Sequence, residues 1–189
     1  MTIQKTYPYI LIVGSIIGLL ASFFLMVNTI ELKQNPGAEL PCNLNPFISC
    51  TNAIQSEQGE IFGFPNPLLG IISFSMLLAS GVMLYFGGKA RKIYWQLMNL
   101  GTLFSITFII WFIYQSIYNF GTLCLYCMTV WTVSWPIFLY TTIWNYKEDH
   151  FKPNSFFRFL AQNHLPILIS WYVIIIFLIL LKFKDFFFY

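Results

Sequence analysis

The sequence predicts an all-α integral membrane protein, a single transmembrane domain over residues 1–189 with five spans and a long outer loop between the first two. Three observations carry this. Of the 189 residues, 58% are hydrophobic, 20% aromatic and only 9% charged, where a soluble domain carries roughly a quarter charged residues. Five stretches reach or approach the roughly 20 apolar residues that a helix needs to cross the hydrocarbon. Lys and Arg gather in alternate connections, as they do in cytoplasmic loops. Folded in water, such a chain would expose far more apolar surface than soluble monomers do.

The elements follow in chain order. The first span covers 8–27. It is too long and too aromatic for a signal peptide and lacks a small-residue cleavage site, so it is expected to stay. Its Gly14 and Gly18 form a small-residue face suited to close helix packing. The loop 28–66 sets Glu31, Glu39, Glu57 and Glu60 against Lys33. The second span, 67–86, opens on Pro67, with Asn66 in the N-cap position. A basic connection with Lys89, Arg91 and Lys92 leads to the third span, 94–117. The uncharged turn Tyr118-Asn119-Phe120-Gly121-Thr122 leads to the fourth, 123–144. A second basic connection, with Lys147, Lys152 and Arg158, leads to the fifth and shortest, 166–181.

No span holds an Asp, Glu, Lys, Arg or His. Ionisable groups inside the membrane mark ion pathways, so their absence argues against an ion-coupled transporter. The basic connections, together with Lys5, fall on one side of a five-span chain. That side is expected to be the cytoplasm, with the N-terminus inside and the loop 28–66 outside an inner (cytoplasmic) membrane. Lys182 and Lys184 are the exception, since five spans put them outside. The net charge of +3 is spread over loops and forms no basic, aromatic-interleaved patch, so no nucleic-acid partner is expected.

Orientation and cysteine chemistry then meet. Cys42 and Cys50 fall in the outer loop, and Cys124 and Cys127 at the outer start of the fourth span. All four are expected at the oxidising face, where disulfides persist. Cys124-Leu125-Tyr126-Cys127 puts two thiols on one helix face, close enough to bond. The positive end of the helix dipole favours a thiolate at the first of them. Zinc is the main rival for this spacing. A second Cys-x-x-Cys or a nearby His would support it, but seven residues separate Cys42 from Cys50, and His150 and His164 fall on the other side. Cys42 and Cys50 read either as a structural staple or as a second redox pair. Two dithiols at one membrane edge suggest a relay by thiol–disulfide exchange.

These residues resemble the vitamin K epoxide reductase family, in particular its bacterial members. The stretch Pro41-Cys42-Asn43-Leu44-Asn45-Pro46-Phe47-Ile48-Ser49-Cys50 resembles the family's loop pair. Ser56 and Ile61-Phe62-Gly63-Phe64-Pro65-Asn66 resemble its quinone-side motif, and Cys124-Leu125-Tyr126-Cys127 resembles its active-site pair. The similarity covers roughly residues 8–146. It implies a four-helix bundle around a quinone (ubiquinone or menaquinone), here with an additional fifth, C-terminal helix. It also implies that a reduced partner attacks Cys42, that Cys50 exchanges with Cys124, and that Cys127 stands next to the quinone, with Ser56, Phe64, Asn66 and Trp131 as candidate quinone contacts.

Some members carry Tyr four residues after the second active-site cysteine. Trp131 stands there in this chain and offers an N–H but no phenolic hydroxyl. Many bacterial members carry a fused thioredoxin-like domain. Only about eight residues follow the fifth span here, so the expected partner is a separate thioredoxin-fold thiol oxidase that introduces disulfides into exported proteins. The alternatives are reduction of a quinone or quinone epoxide for its own sake, and a membrane scaffold with structural disulfides. The outer loop is expected to swing, because Cys50 must meet both Cys42 and Cys124.

Overall fold

The computed structural model describes residues 3–183; Lys184 lies outside them. Seven α-helices follow one another: α1 (Ile3–Gln34), α2 (Thr51–Gln55), α3 (Pro67–Tyr85), α4 (Lys92–Tyr114), α5 (Leu125–Lys147), α6 (Ser155–Gln162) and α7 (His164–Lys182). A 3-10 turn at Glu57–Glu60 follows α2, and a π-helical segment, Gln115–Phe120, prolongs α4. Two isolated bridges, Asn45 with Ile48 and Ile48 with Leu123, are the β-type pairings among the described residues.

α1 is longer than the span expected at 8–27. Its 32 residues extend about 48 Å at 1.5 Å per residue, well beyond a hydrocarbon core of about 30 Å. Most of the surplus lies beyond Val27, where Asn28, Thr29 and Leu32 are buried. α1 is therefore both a wall of the bundle and, through the Asn28–Cys42 hydrogen bond, a support of the loop that follows.

α1 packs on α3 with one face and on α5 with the other. Glycines set the closeness of the first contact. A Cβ added at Gly81 would stand 2.8 Å from Leu11 Cβ and 3.1 Å from the Ile12 backbone nitrogen, and one at Gly18 would fall on the Phe74 ring. Gly14 lies against Ile137 of α5. These are the close helix approaches that small residues permit.

α5 is the central helix, touching α1, α4, α6 and α7. Its polar groups turn inward. Thr141 Oγ1 accepts a hydrogen bond from the Tyr7 hydroxyl at 3.0 Å, Thr142 accepts from Asn99 at 2.8 Å, and Asn145 donates to the Trp95 carbonyl at 3.1 Å. This accounts for a difference from the five expected spans. Among the described residues, four helices are long and apolar enough to cross a membrane by length and composition, namely 5–34, 67–85, 92–120 and 164–182. α5, which occupies the expected 123–144, is not among them, because a helix surrounded by helices can carry hydrogen-bonding residues where a lipid-facing one cannot.

α7 runs antiparallel to α5 as an outrigger. Trp171 stacks on Trp135 at 3.9 Å with an interplanar angle of 9°, and Tyr172 donates to the Thr132 carbonyl at 2.7 Å. None of its residues is buried. α6 is short and exposes Phe156 and Phe159.

The bundle has two unlike ends. At one, Lys92 Nζ donates to the Asp149 carbonyl and Gln96 to the His150 carbonyl, joining the two basic connections. His150 Nδ1 meets Asn145 Oδ1 at 3.2 Å and His164 Nδ1 meets the Tyr140 hydroxyl at 3.2 Å. Burial, opposed by Glu148 and Asp149, holds the His150 imidazole below the usual histidine range. The cysteines occupy the other end, with Lys182 above the Tyr118 ring at 5.8 Å.

The glycine seam carries a prediction. Gly81→Ala must push α1 and α3 apart, an overpacking that costs about 1–3 kcal/mol. A Cβ at Gly101 meets open space, so Gly101→Ala should be neutral or stabilising. Thermal melts of the two variants in detergent should separate accordingly.

Candidate redox site

The loop 41–50 is shaped by two asparagines. Asn45 Oδ1 accepts the backbone N–H groups of Phe47 at 3.0 Å and Ile48 at 2.8 Å, an Asx turn that reverses the chain. Asn43 Oδ1 accepts the Cys50 N–H at 3.0 Å and the Ser49 hydroxyl at 2.9 Å, while its Nδ2 donates to Thr51 Oγ1 at 2.9 Å. Both ends of the loop are thereby drawn together. Cys42 and Cys50 are joined by a disulfide, their Cα atoms 5.8 Å apart. They are 1% and 0% exposed. Asn28, on the surplus length of α1, donates to Cys42 Sγ at 3.5 Å.

The second pair arrives from the opposite side. Gly121 takes a left-handed conformation, φ +64°, that ends the π-helical segment, as glycine does at helix C-termini. Ser116 then binds the Thr122 carbonyl at 2.8 Å, and Asn52 donates to Thr122 Oγ1 at 3.3 Å. Leu123 is held by two backbone bonds, its N–H to the Phe47 carbonyl at 2.7 Å and its carbonyl from the Ser49 N–H at 3.0 Å. The next residue on each strand is a cysteine.

The consequence is direct. Cys124 Sγ stands 3.5 Å from Cys50 Sγ. Cys124 is also the N-cap of α5, its sulfur accepting the Cys127 N–H at 3.4 Å. Cys124 and Cys127 are free and buried. Cys50 therefore reaches its inner partner while still bonded to Cys42. The expected swing of Cys50 between the two is not required for that contact; what is closed off is Cys42, which faces no solvent.

Cys127 lies one helical turn deeper and opens onto a cavity of about 190 Å³. Its walls come from α1, α3, α4, α5 and the segment 53–59, and are mostly apolar, with Phe74, Phe108, Phe112 and Trp131 among them. α3 and α4 both line it. They meet near the basic end, where Ser80 Oγ and the Tyr94 hydroxyl are 2.6 Å apart.

The four candidate contacts are placed differently. Asn66 and Trp131 are on the cavity wall. Asn66 occupies the N-cap position of α3 but makes no side-chain cap; its Nδ2 reaches the Gln58 carbonyl at 2.6 Å and its Oδ1 is buried with no hydrogen-bond partner. Ser56 is not on the wall. It closes α2 by donating to the Ala53 carbonyl at 2.9 Å and faces a surface groove with Lys33 and Glu60, which form an ion pair. Phe64 is one ring removed from the lining residues, stacking on Phe62, which in turn meets Phe108.

Sequence reasoning missed Ser22, Leu25 and Thr29 on α1 and the four lining phenylalanines, Phe74, Phe104, Phe108 and Phe112. The α1 residues recur at helical spacing, which shows a shared face but not what that face meets. It also missed Asn28 and Leu123, which bond to partners farther along the chain, and Asn43, which ties the two ends of its own loop.

A helical, multi-pass membrane protein with a disulfide and a dithiol in contact, the inner thiol lining an apolar cavity, has the makings of a thiol–disulfide exchanger. Residues 9–142 match the vitamin K epoxide reductase family, and the chain belongs to it. It is thereby a member of a quinone-linked oxidoreductase family. None of the curated proteins matches the chain. α6 and α7 follow the matched region.

Asn43→Ala removes the acceptor for the Cys50 N–H and should loosen the loop by about 1–3 kcal/mol. The Cys42–Cys50 disulfide should then be reduced by dithiothreitol at least about fivefold faster, read by maleimide gel shift. An unchanged rate would show that Asn43 does not hold the loop closed.

Proposed function

We propose that the chain is a thiol:quinone oxidoreductase of a bacterial cytoplasmic membrane. In this reading it reoxidises a separate, exported thioredoxin-fold partner and passes the electrons to ubiquinone or menaquinone. The observation that carries it is the unbroken series of sulfurs: Cys42 bonded to Cys50, Cys50 3.5 Å from Cys124, and Cys127 on the cavity wall.

Each step balances by exchange. A partner thiolate attacks Cys42 Sγ, and Cys50 leaves as a thiolate. The partner's second thiol resolves the mixed disulfide, leaving the partner oxidised and Cys42 and Cys50 reduced. Cys50 then attacks Cys124 of an inner disulfide and Cys127 leaves. Cys42 attacks Cys50, restoring the outer disulfide and freeing Cys124. The result is the state seen here, with the outer pair oxidised and the inner pair reduced.

A bound quinone supplies an acceptor for two electrons and two protons. The residues suit one. The cavity is lined by aromatic and aliphatic side chains, and the buried, unpartnered Asn66 Oδ1 on its wall would accept a hydrogen bond from a hydroxyl of the reduced ring. Cys127 would present its sulfur to the quinone at that wall, and Cys124, one helical turn away, would be placed to close the inner disulfide with it.

Access for the partner requires the turn around Cys42 to lift. Leu44, 62% exposed, is its most accessible apolar side chain. In this proposal α5 also crosses the membrane, giving five spans. The end carrying Lys89, Arg91, Lys92, Lys147, Lys152 and Arg158 is cytoplasmic, as the positive-inside tendency favours.

Purified protein given a reduced thioredoxin-fold dithiol and a soluble ubiquinone analogue should reduce the quinone, and Cys127→Ala should abolish this. Full activity in that variant would end the assignment. In a cysteine-free background, Leu44→Cys should react with an impermeant maleimide on intact cells. Lys89→Cys should react only after permeabilisation. The reverse pattern would overturn the orientation.

A further inference from the structure

α7 lies beyond the region matched to the family and buries no residue along its length. Immediately past its end, however, Phe183 is buried. It is packed into the cluster that holds all four cysteines. Its ring meets Phe47 edge-on, centroids 5.8 Å apart at 85°. Its neighbour Lys182 sits over Tyr118. The end of α7 thus touches both chain segments that meet at the redox junction, the loop 41–50 and the turn before Cys124.

Phe47 is not an incidental contact. Its carbonyl takes the Leu123 N–H at 2.7 Å, one of the two backbone bonds that set Cys50 beside Cys124. The Asx-type bonds within the Phe47 loop are local, and its ties to the rest of the bundle include the Asn28–Cys42 hydrogen bond and the Ser49–Leu123 backbone bond. α7, by contrast, is fixed to α5 by the Trp135–Trp171 stack and the Tyr172–Thr132 hydrogen bond. The path closes on itself: α5 fixes α7, α7 ends in Phe183, Phe183 covers Phe47, and Phe47 is bonded to the residue preceding Cys124 at the start of α5.

We propose that Phe183 is a positioning residue for exchange between the two cysteine pairs, holding Phe47 so that Cys50 stays within reach of Cys124. The proposal rests on the relay reading for its purpose. Its test needs neither quinone nor partner, so a failed quinone assay leaves it readable and its own failure leaves quinone reduction untouched.

The full chain carrying Cys42→Ser and Cys127→Ser retains only Cys50 and Cys124. Diamide takes two electrons and two protons from these thiols, becoming the hydrazine as the Cys50–Cys124 disulfide forms. Its rate of formation reports their proximity and is read on non-reducing gels with peptide mass spectrometry. Phe183→Ala should slow it at least about fivefold, since small misplacements of reacting atoms are costly. Phe183→Tyr keeps the aromatic edge and should stay within about twofold of the parent. Phe177→Ala, on the exposed face of α7, should match the parent and serves as the control for general damage to the helix. Phe47→Leu, which removes the same ring contact from the loop side, should repeat the slowing if Phe183→Ala proves too unstable to purify. Parent rates in Phe183→Ala or Phe47→Leu, or a Phe183→Tyr as slow as Phe183→Ala, would overturn the proposal.

Discussion

The chemistry of this bundle hangs on two backbone hydrogen bonds made by Leu123. They join a loop leaving α1 to a turn entering α5, segments more than seventy residues apart in the chain. Because Ser49 and Leu123 each precede a cysteine, registering those backbones registers the sulfurs. Backbone bonds suit this task better than side-chain contacts. Their geometry is short and directional, and inside a buried site they are costly to leave unmade. The asparagines at 28, 43 and 45 serve the same end by satisfying the loop's polar groups, Asn28 in a buried contact and the other two nearer the surface.

Burial of all four cysteines follows from that arrangement and shapes what they can do. A disulfide whose sulfurs face no solvent is protected from adventitious reduction, and a buried dithiol from adventitious oxidation. Exchange between them needs only the contact already present. Exchange with anything outside needs the turn around Cys42 to open. The barrier to electron entry is thus placed at the loop surface, while the inner step is left to preformed proximity.

α5 illustrates a different constraint. It carries the Cys124–Cys127 dithiol, part of the cavity wall and the polar contacts to α1 and α4, so it must be central. A central helix is relieved of the need to dissolve in lipid, which is why Thr141, Thr142 and Asn145 are tolerated there and why it is the least membrane-like of the long helices by composition. α7 is the reverse case, apolar on nearly every face, with no residue fully buried and one face, Trp171, Ile175, Leu178 and Ile179, packed against the core; it is fixed by an indole stack and ends on the redox loop.

The sequence by itself determined the helical, membrane-embedded class, the approximate course of the long helices and the chemistry of the Cys-x-x-Cys. Hydropathy, charge asymmetry and i, i+3 spacing are local properties that need no partner to be read. The motif around Cys42 and Cys50 likewise carried its family resemblance on its face. Where Cys50 lies relative to Cys124 was decided only by tertiary structure, because that distance is set by the pairing of residues 47–49 with 123. No periodicity encodes that pairing. The same holds for the cavity. Asn66 reaches it and Ser56 does not, although both belong to the same resemblance, and Trp131, where the chain departs from some members, reaches it too. Packing among five separate segments, not the identity of any one residue, determines which side chains line an enclosed space.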